Sequence, residues 1–190
     1  ASWGQGDNFP VYCVGWYEAL VYCNRRSLGE GLTPVYSIKG STNPDDWGPV
    51  PASIDPDWSA VTVNDANGYR LPTSEEWVYA AAGGDPAQPD WSYTYAGGNV
   101  LDEVAWHNGN RGSRWAFEVK QKKPNRLGLY DMSGNLLEWC WDYHSDTHRR
   151  IRGGSTATSS SDDIGLRLAG DTRWNEIVLN SNTVVGLRVV

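Results

Sequence analysis

Cysteine is scarce in this chain: Cys13, Cys23 and Cys140 are the three among 190 residues. An odd number does not describe a disulfide framework. Cys13 and Cys23 flank a helical pattern and pair only if the fold brings them together, while Cys140, set among aromatics, reads as a buried thiol. No Cys-x-x-Cys and no Cys/His spacing suited to zinc occurs. Histidine is equally rare, at His107, His144 and His148; the last two are four apart, but residues 142–148 read as a loop, which argues against a metal pair. The Gly-x-Ser-x-Gly elbow and the phosphate loop are both missing. No apolar run is long enough to cross a bilayer, and no leader pattern opens the chain; its abrupt start at Ala1 leaves open whether a leader or lipid anchor precedes it. Basic residues are also in deficit, 16 Lys and Arg against 23 Asp and Glu, for a net charge of −7. A duplex-binding surface needs the opposite balance, so nucleic acid is not the expected partner. The single basic cluster, Lys120, Lys122 and Lys123, reads as a solvated loop. There is no internal repeat and no linker.

What the chain has instead is aromatic mass and turns: 11 Trp, 10 Tyr, 21 Gly and 10 Pro. A chain of this length buries roughly 70% of its unfolded surface. Large rings can build the core of an irregular fold, because each buries so much area. The expectation is one domain over residues 1–190, α+β and loop-rich. Residues 9–14 read as a short strand. Trp16, Ala19, Leu20 and Cys23 share a helical face, closed by Gly29 and Gly31. Short strands follow at 34–38 and 61–63, separated by a Pro/Asp/Trp-rich loop. Thr73 followed by Glu76 is a capping box, and predicts a helix with Trp77, Ala80 and Ala81 inward. Further short strands are expected at 150–152, 166–168 and 184–189.

Four blocks stand in an order that matters. Tyr69-Arg70-Leu71-Pro72-Thr73-Ser74-Glu75-Glu76-Trp77 resembles the R-L-P-T-x-x-E-W signature of formylglycine-generating enzymes. Gly128-Leu129-Tyr130-Asp131-Met132-Ser133-Gly134-Asn135-Leu136-Leu137-Glu138-Trp139 resembles their G-L-Y-D-M-x-G-N-x-x-E-W. Arg152-Gly153-Gly154-Ser155 resembles R-G-G-S, and Gly186-Leu187-Arg188 the closing G-F-R. The resemblance runs from about residue 9 to the end. It implies a C-type lectin fold of the formylglycine-generating-enzyme (sulfatase-modifying factor) subclass, with two helices and a small twisted antiparallel sheet. It also implies a structural calcium held by Asp131 and Glu138 with carbonyls near Gly134 and Leu136, a hard cation suited to oxygen ligands; the alternative is that Glu138 accepts backbone N–H groups and locks the loop without metal. No cofactor is otherwise required.

The oxidase chemistry of that family uses paired cysteines after R-G-G-S, as thiolate nucleophile and copper ligand. This chain carries Thr156-Ala157-Thr158-Ser159-Ser160-Ser161-Asp162-Asp163 there, and no cysteine after Cys140. Hydroxyls do not replace soft thiolates, so a non-catalytic protein is expected, with a formylglycine-generating-type oxidase as the alternative. A calcium-dependent sugar lectin is a second alternative: Gln88-Pro89-Asp90 and Trp174-Asn175-Glu176 look like its specificity tripeptides but lie too far apart.

The tail over about 150–190 is where variable proteins of diversity-generating retroelements carry their variable region, and this stretch resembles one. Adenine-directed mutation of Asn codons yields small polar and branched residues. Thr156, Ala157, Ser159, Ser160, Asp162, Asp163, Asp171, Thr172, Arg173, Asn175, Ile177, Leu179, Asn180 and Asn182 suit that output or lie among such residues. Trp174 does not, and is expected to be a fixed anchor, with Trp141 and Tyr143 beside it if the fold allows. These residues are the candidate ligand-binding positions and must be exposed to tolerate change. The resemblance implies a surface protein, lipid-anchored at an outer membrane, that binds a macromolecular ligand, a protein, and acts as a monomer.

Overall fold

The computed structural model describes residues 6–145, 148–161, 163–168, 170, 176–177 and 184–190, with the backbone alone at 163, 176 and 177. Helix α1, Trp16–Gly29, begins where Glu18 reaches back to accept the Gly15 N–H at 2.7 Å. A carboxylate at that end also meets the positive pole of the helix. Its apolar stripe of Trp16, Ala19, Leu20 and Cys23 is fully buried. The two-residue strands β1, Tyr36–Ser37, and β2, Thr62–Val63, pair antiparallel, and the single turn α2, Pro56–Ser59, lies between them. Asp55 caps that turn by accepting N–H groups from Asp57 and Trp58.

Helix α3, Ser74–Ala81, starts as the sequence predicts: Thr73 Oγ1 accepts the Glu76 N–H, and the Glu76 carboxylate accepts the Thr73 N–H. The same carboxylate takes both terminal nitrogens of Arg70 at 2.7 Å, and this holds its pKa down at about 2. The one-turn helix α4, Leu101–Val104, follows. A four-stranded sheet in the order β5-β4-β3-β6 then closes the fold, with β3 at Leu137–Ser145, β4 at His148–Arg152, β5 at Glu176–Ile177 and β6 at Val185–Gly186.

Four local expectations change. Residues 9–14 form no strand, and Cys13 takes a left-handed φ of 57° that interrupts extended backbone. The antiparallel expectation holds for β5-β4-β3, but β6 runs parallel to β3. Residues 166–168 form no strand: Leu166 ends the 3-10 turn Asp163–Leu166, and Arg167 makes only an isolated antiparallel bridge to Tyr95. His144 lies in β3 and not in a loop.

Core packing falls into three neighbourhoods. α1, β1 and the buried end of β3 enclose Trp16, Tyr36, Trp47, Trp58 and Trp139. α3 packs on Met132, Cys140 and Leu168, and Leu166 joins Tyr95, Val104 and Ala105. All three cysteines are free, and Cys23 and Cys140 are buried in different clusters.

Candidate ligand-binding surface

Strand β3 organises the site, because its first four residues are buried and its last three exposed. At the buried end, Glu138 is fully spoken for. Arg188 donates to both of its oxygens, at 2.7 to 3.2 Å, and Trp77 Nε1 donates to Oε2 at 2.7 Å. The adjacent carboxylate raises the Arg188 pKa. Gly134 works as backbone: its φ is +81°, its N–H donates to Gly153 O, and a Cβ there would stand 2.3 Å from Trp106 O. Leu136 is buried against the pocket that runs between this segment and Gly186, a cavity of about 410 Å³. Asp131 lines the same cavity; its Oδ2 accepts the Lys120 N–H, its Oδ1 is buried without a partner, and burial raises its pKa.

A calcium cage at Asp131, Gly134, Leu136 and Glu138 does not fit this arrangement. Glu138 is the counter-ion of Arg188, so one open carboxylate oxygen remains beside a guanidinium, and like charge disfavours a second cation there. The donors to Glu138 are the side chains of Arg188 and Trp77, and not the backbone N–H groups of the sequence-level alternative.

The thiols do not suit copper either. Burial pushes Cys23 up to about 12 and raises Cys140 beyond the ordinary range, so neither is a ready thiolate. Cys13 is exposed and alone.

The tail divides sharply. Thr156 is fully buried, its N–H donates to Asn135 O and its hydroxyl to Trp115 O at 2.8 Å. It is a framework residue, and the expectation that it contacts ligand is corrected, because a side chain enclosed by Trp115 and Asn135 cannot reach solvent. Ala157 and Ser160 are exposed and Ser159 half-buried, as candidates should be. They lie against the loop 107–117: Asn108 N–H donates to Thr158 O. That loop is braced by buried His107, which accepts the Gly109 N–H on Nδ1 and donates through Nε2 to Asp102 at 2.8 Å. Asp163 lies in the 3-10 turn and Ile177 in β5. Asp162, Asp171, Thr172, Arg173, Trp174, Asn175, Leu179, Asn180 and Asn182 lie outside the described residues.

At the exposed end of β3, Arg149 on β4 is buried yet meets no carboxylate among the described residues. Its guanidinium lies 3.4 Å from the Tyr143 ring, 3.7 Å from Trp16 and 5.0 Å from Trp141, and donates to Trp141 O. Desolvation pushes its pKa down to about 10. Trp141 stacks on Tyr36 and packs on Trp16, so it serves the core. Tyr143 stays 48% exposed and is held from behind by Arg149, which makes it the fixed aromatic of this end. Arg149 was not singled out by sequence, because it stands among His148, Arg150 and Arg152 and nothing local distinguishes it from them.

Loop-rich layers around a mixed four-stranded sheet, two longer helices and plugs of tryptophan define a C-type lectin fold of the formylglycine-generating subclass. The family described as the sulfatase-modifying factor enzyme 1-like domain matches residues 2–190, and the chain belongs to it. It is 44% identical over 179 residues to the chaperone protein LppX of Paenibacillus barcinonensis, covering 82% of this chain and 61% of that protein. It is 30% identical over 166 residues to the formylglycine-generating enzyme of Streptomyces coelicolor, covering 58% and 51%. The chain thus spans only about half to three-fifths of the length of these two relatives. Among solved structures, Treponema denticola variable protein 1 superposes with a TM-score of 0.79 at 32% identity, over 100% of this chain and 74% of that one.

Proposed function

We propose that the chain is a ligand-binding protein that displays a diversified C-terminal surface on this scaffold and performs no catalysis. Its ligand is a protein, its setting the cell surface through a lipid anchor, and its diversity the work of a retroelement. One observation carries the reading: within a few residues the tail alternates buried framework, Thr156, Leu166 and Leu168, with exposed small residues, Ala157 and Ser160. That is the division of labour a variable surface needs, since exposed positions away from caps and cores change stability by about 0.5 kcal/mol or less. The likeness to a variable protein supports it, and the name of LppX, a chaperone, is itself that of a protein-binding role. Against an oxidase stands the lack of any cysteine after Cys140.

The test is a displayed library of the chain with Ala157, Ser159, Ser160, Asp171, Thr172, Arg173 and Asn175 randomised, selected against two unrelated folded proteins. Folded, target-specific binders are expected from most of the library, whereas Thr156→Val alone costs about 1–2 kcal/mol through the orphaned Trp115 carbonyl. A library that unfolds wholesale, or copper-dependent conversion of a cysteine peptide by the native chain, would overturn the reading.

A further inference from the structure

Beside the tail stands a surface whose charge is opposite to that of the whole chain. Residues 107–123 carry Arg111, Arg114, Lys120, Lys122 and Lys123 against Glu118 alone, within a chain of net charge −7. Three contacts join the first half of this segment to the tail. The Asn108 N–H donates to Thr158 O, and the Thr156 hydroxyl donates to Trp115 O. Ser160 Oγ lies so near Gly109 that a Cβ there would stand 3.2 Å from it. The exposed Ser160 and the loop 107–115 therefore form one continuous surface.

The five cations are not equally open to a ligand. Lys123 pairs with Glu103 at 2.7 Å, and Lys122 donates to Asp102 O while lying 4.0 Å from the Trp106 ring. Arg111 and Arg114 meet no carboxylate among the described residues, Glu118 included. The neighbouring Asp102 carboxylate is engaged by His107 and Asn110. Neutral groups hold Arg111 in place: its Nε donates to Asn108 Oδ1, its Nη1 to Arg114 O, and its guanidinium lies 4.1 Å from the Trp115 ring. Its Nη2 is left over. Arg114 is exposed and lies 5.6 Å from the Phe117 ring, which is stacked on Trp106. Two guanidinium groups thus share one turn without a counter-ion. Fixing a long side chain on binding costs about 0.5–1.5 kcal/mol, and for Arg111 that ordering is complete in the free protein. The ligand group that matches paired guanidinium N–H donors is a carboxylate.

We propose that Arg111, Arg114 and Trp115 form a constant docking rim for an Asp- or Glu-rich segment of the protein ligand. The proposal rests on the binding reading above and deepens it: the tail chooses among partners, and the rim favours acidic ones. An acidic partner is repelled by the rest of a chain of net charge −7, so attraction is confined to this loop and orients the encounter toward the tail. A nucleic-acid duplex would meet the same repulsion along much more of its length. Arginine and tryptophan are also the side chains that dominate the energetics of protein interfaces.

The experiment titrates the intact chain into fluorescein-labelled hexaglutamate and hexaserine peptides, read by fluorescence anisotropy at about 0.1 M salt. Hexaglutamate should bind, against the net charge of the chain, and hexaserine should not. Arg111→Gln should weaken hexaglutamate about tenfold and Arg114→Gln about threefold, with circular dichroism unchanged. Arg25→Gln, on α1 and paired with Asp45, should alter binding less than about twofold. At the border with the tail, Ser160→Asp should weaken the peptide about threefold and Ser160→Asn less than twofold. No binding of hexaglutamate, equal loss in the Arg25 variant, no loss in the Arg111 variant, or capture of phosphatidylglycerol vesicles without capture of the peptide overturns the rim. If the peptide fails while the tail library still yields binders, only the rim falls; if tail substitution changes no target choice, the binding reading itself falls.

Discussion

The two ends of strand β3 each hold an arginine, half-buried at one end and buried at the other, in opposite ways. At the Glu138 end, Arg188 is matched by a carboxylate that a tryptophan also grips. At the Tyr143 end, Arg149 is matched by the faces of three rings. The first solution is an ion pair of 29% and 10% side-chain exposure, which is costly to break because either partner left alone is a buried charge. The second has no carboxylate in contact among the described residues, and burial disfavours the guanidinium and lowers its pKa to about 10. The buried end therefore fixes the fold, and the outer end trades some stability for a rigid, half-exposed ring.

Breaking the first end should produce the largest effect. Glu138→Ala strands the Arg188 guanidinium and the Trp77 indole N–H together, and should cost about 3–5 kcal/mol. Urea denaturation measures it. A loss under about 1 kcal/mol, the value of a surface pair, would show that Arg188 finds water instead, and the contrast between the two ends would vanish.

Breaking the second end should cost far less. Arg149→Met removes the attraction to the rings, worth roughly 0.5–2 kcal/mol where desolvated, but also removes the desolvation cost that opposes it. A net change of about 1 kcal/mol is expected, accompanied by faster amide exchange at 143–145 and 148–150 with protection at Leu137–Cys140 unaltered. An unfolding penalty equal to that of Glu138→Ala would mean that Arg149 is a structural keystone, and not a support for Tyr143.

This contrast explains which parts of the molecule were legible in sequence. The blocks around Thr73, Gly134 and Arg188 were readable because each residue there has a local or near-unique duty: a cap, a left-handed turn, a partner for Glu138. The helix at Trp16 was readable from its period alone. What failed was short and non-local. Leu166 and Leu168 alternate like a strand and are buried, but Leu166 ends a 3-10 turn, and β6 pairs parallel with Leu137 and Glu138, far back in the chain, which no local pattern encodes. Thr156 looked like its polar neighbours; its burial depends on Trp115, more than forty residues back.

The smallest expected effect sharpens the comparison most. If the Glu138 end is closed by Arg188 alone, a calcium chelator should leave the thermal midpoint within about 1 °C, since an ion with no site contributes no binding free energy to the native state. Scanning calorimetry with and without added chelator, and again with millimolar calcium, reads this directly. A fall of several degrees on chelation, restored by calcium, would require an ion on the open Asp131 Oδ1 and backbone carbonyls of the 410 Å³ cavity. Arg188 would then have to share Glu138 with it, and the buried end would owe its rigidity to a metal bridge. The chelator result thus decides whether the two ends differ in the kind of partner each arginine uses, or only in how many cations the carboxylate serves.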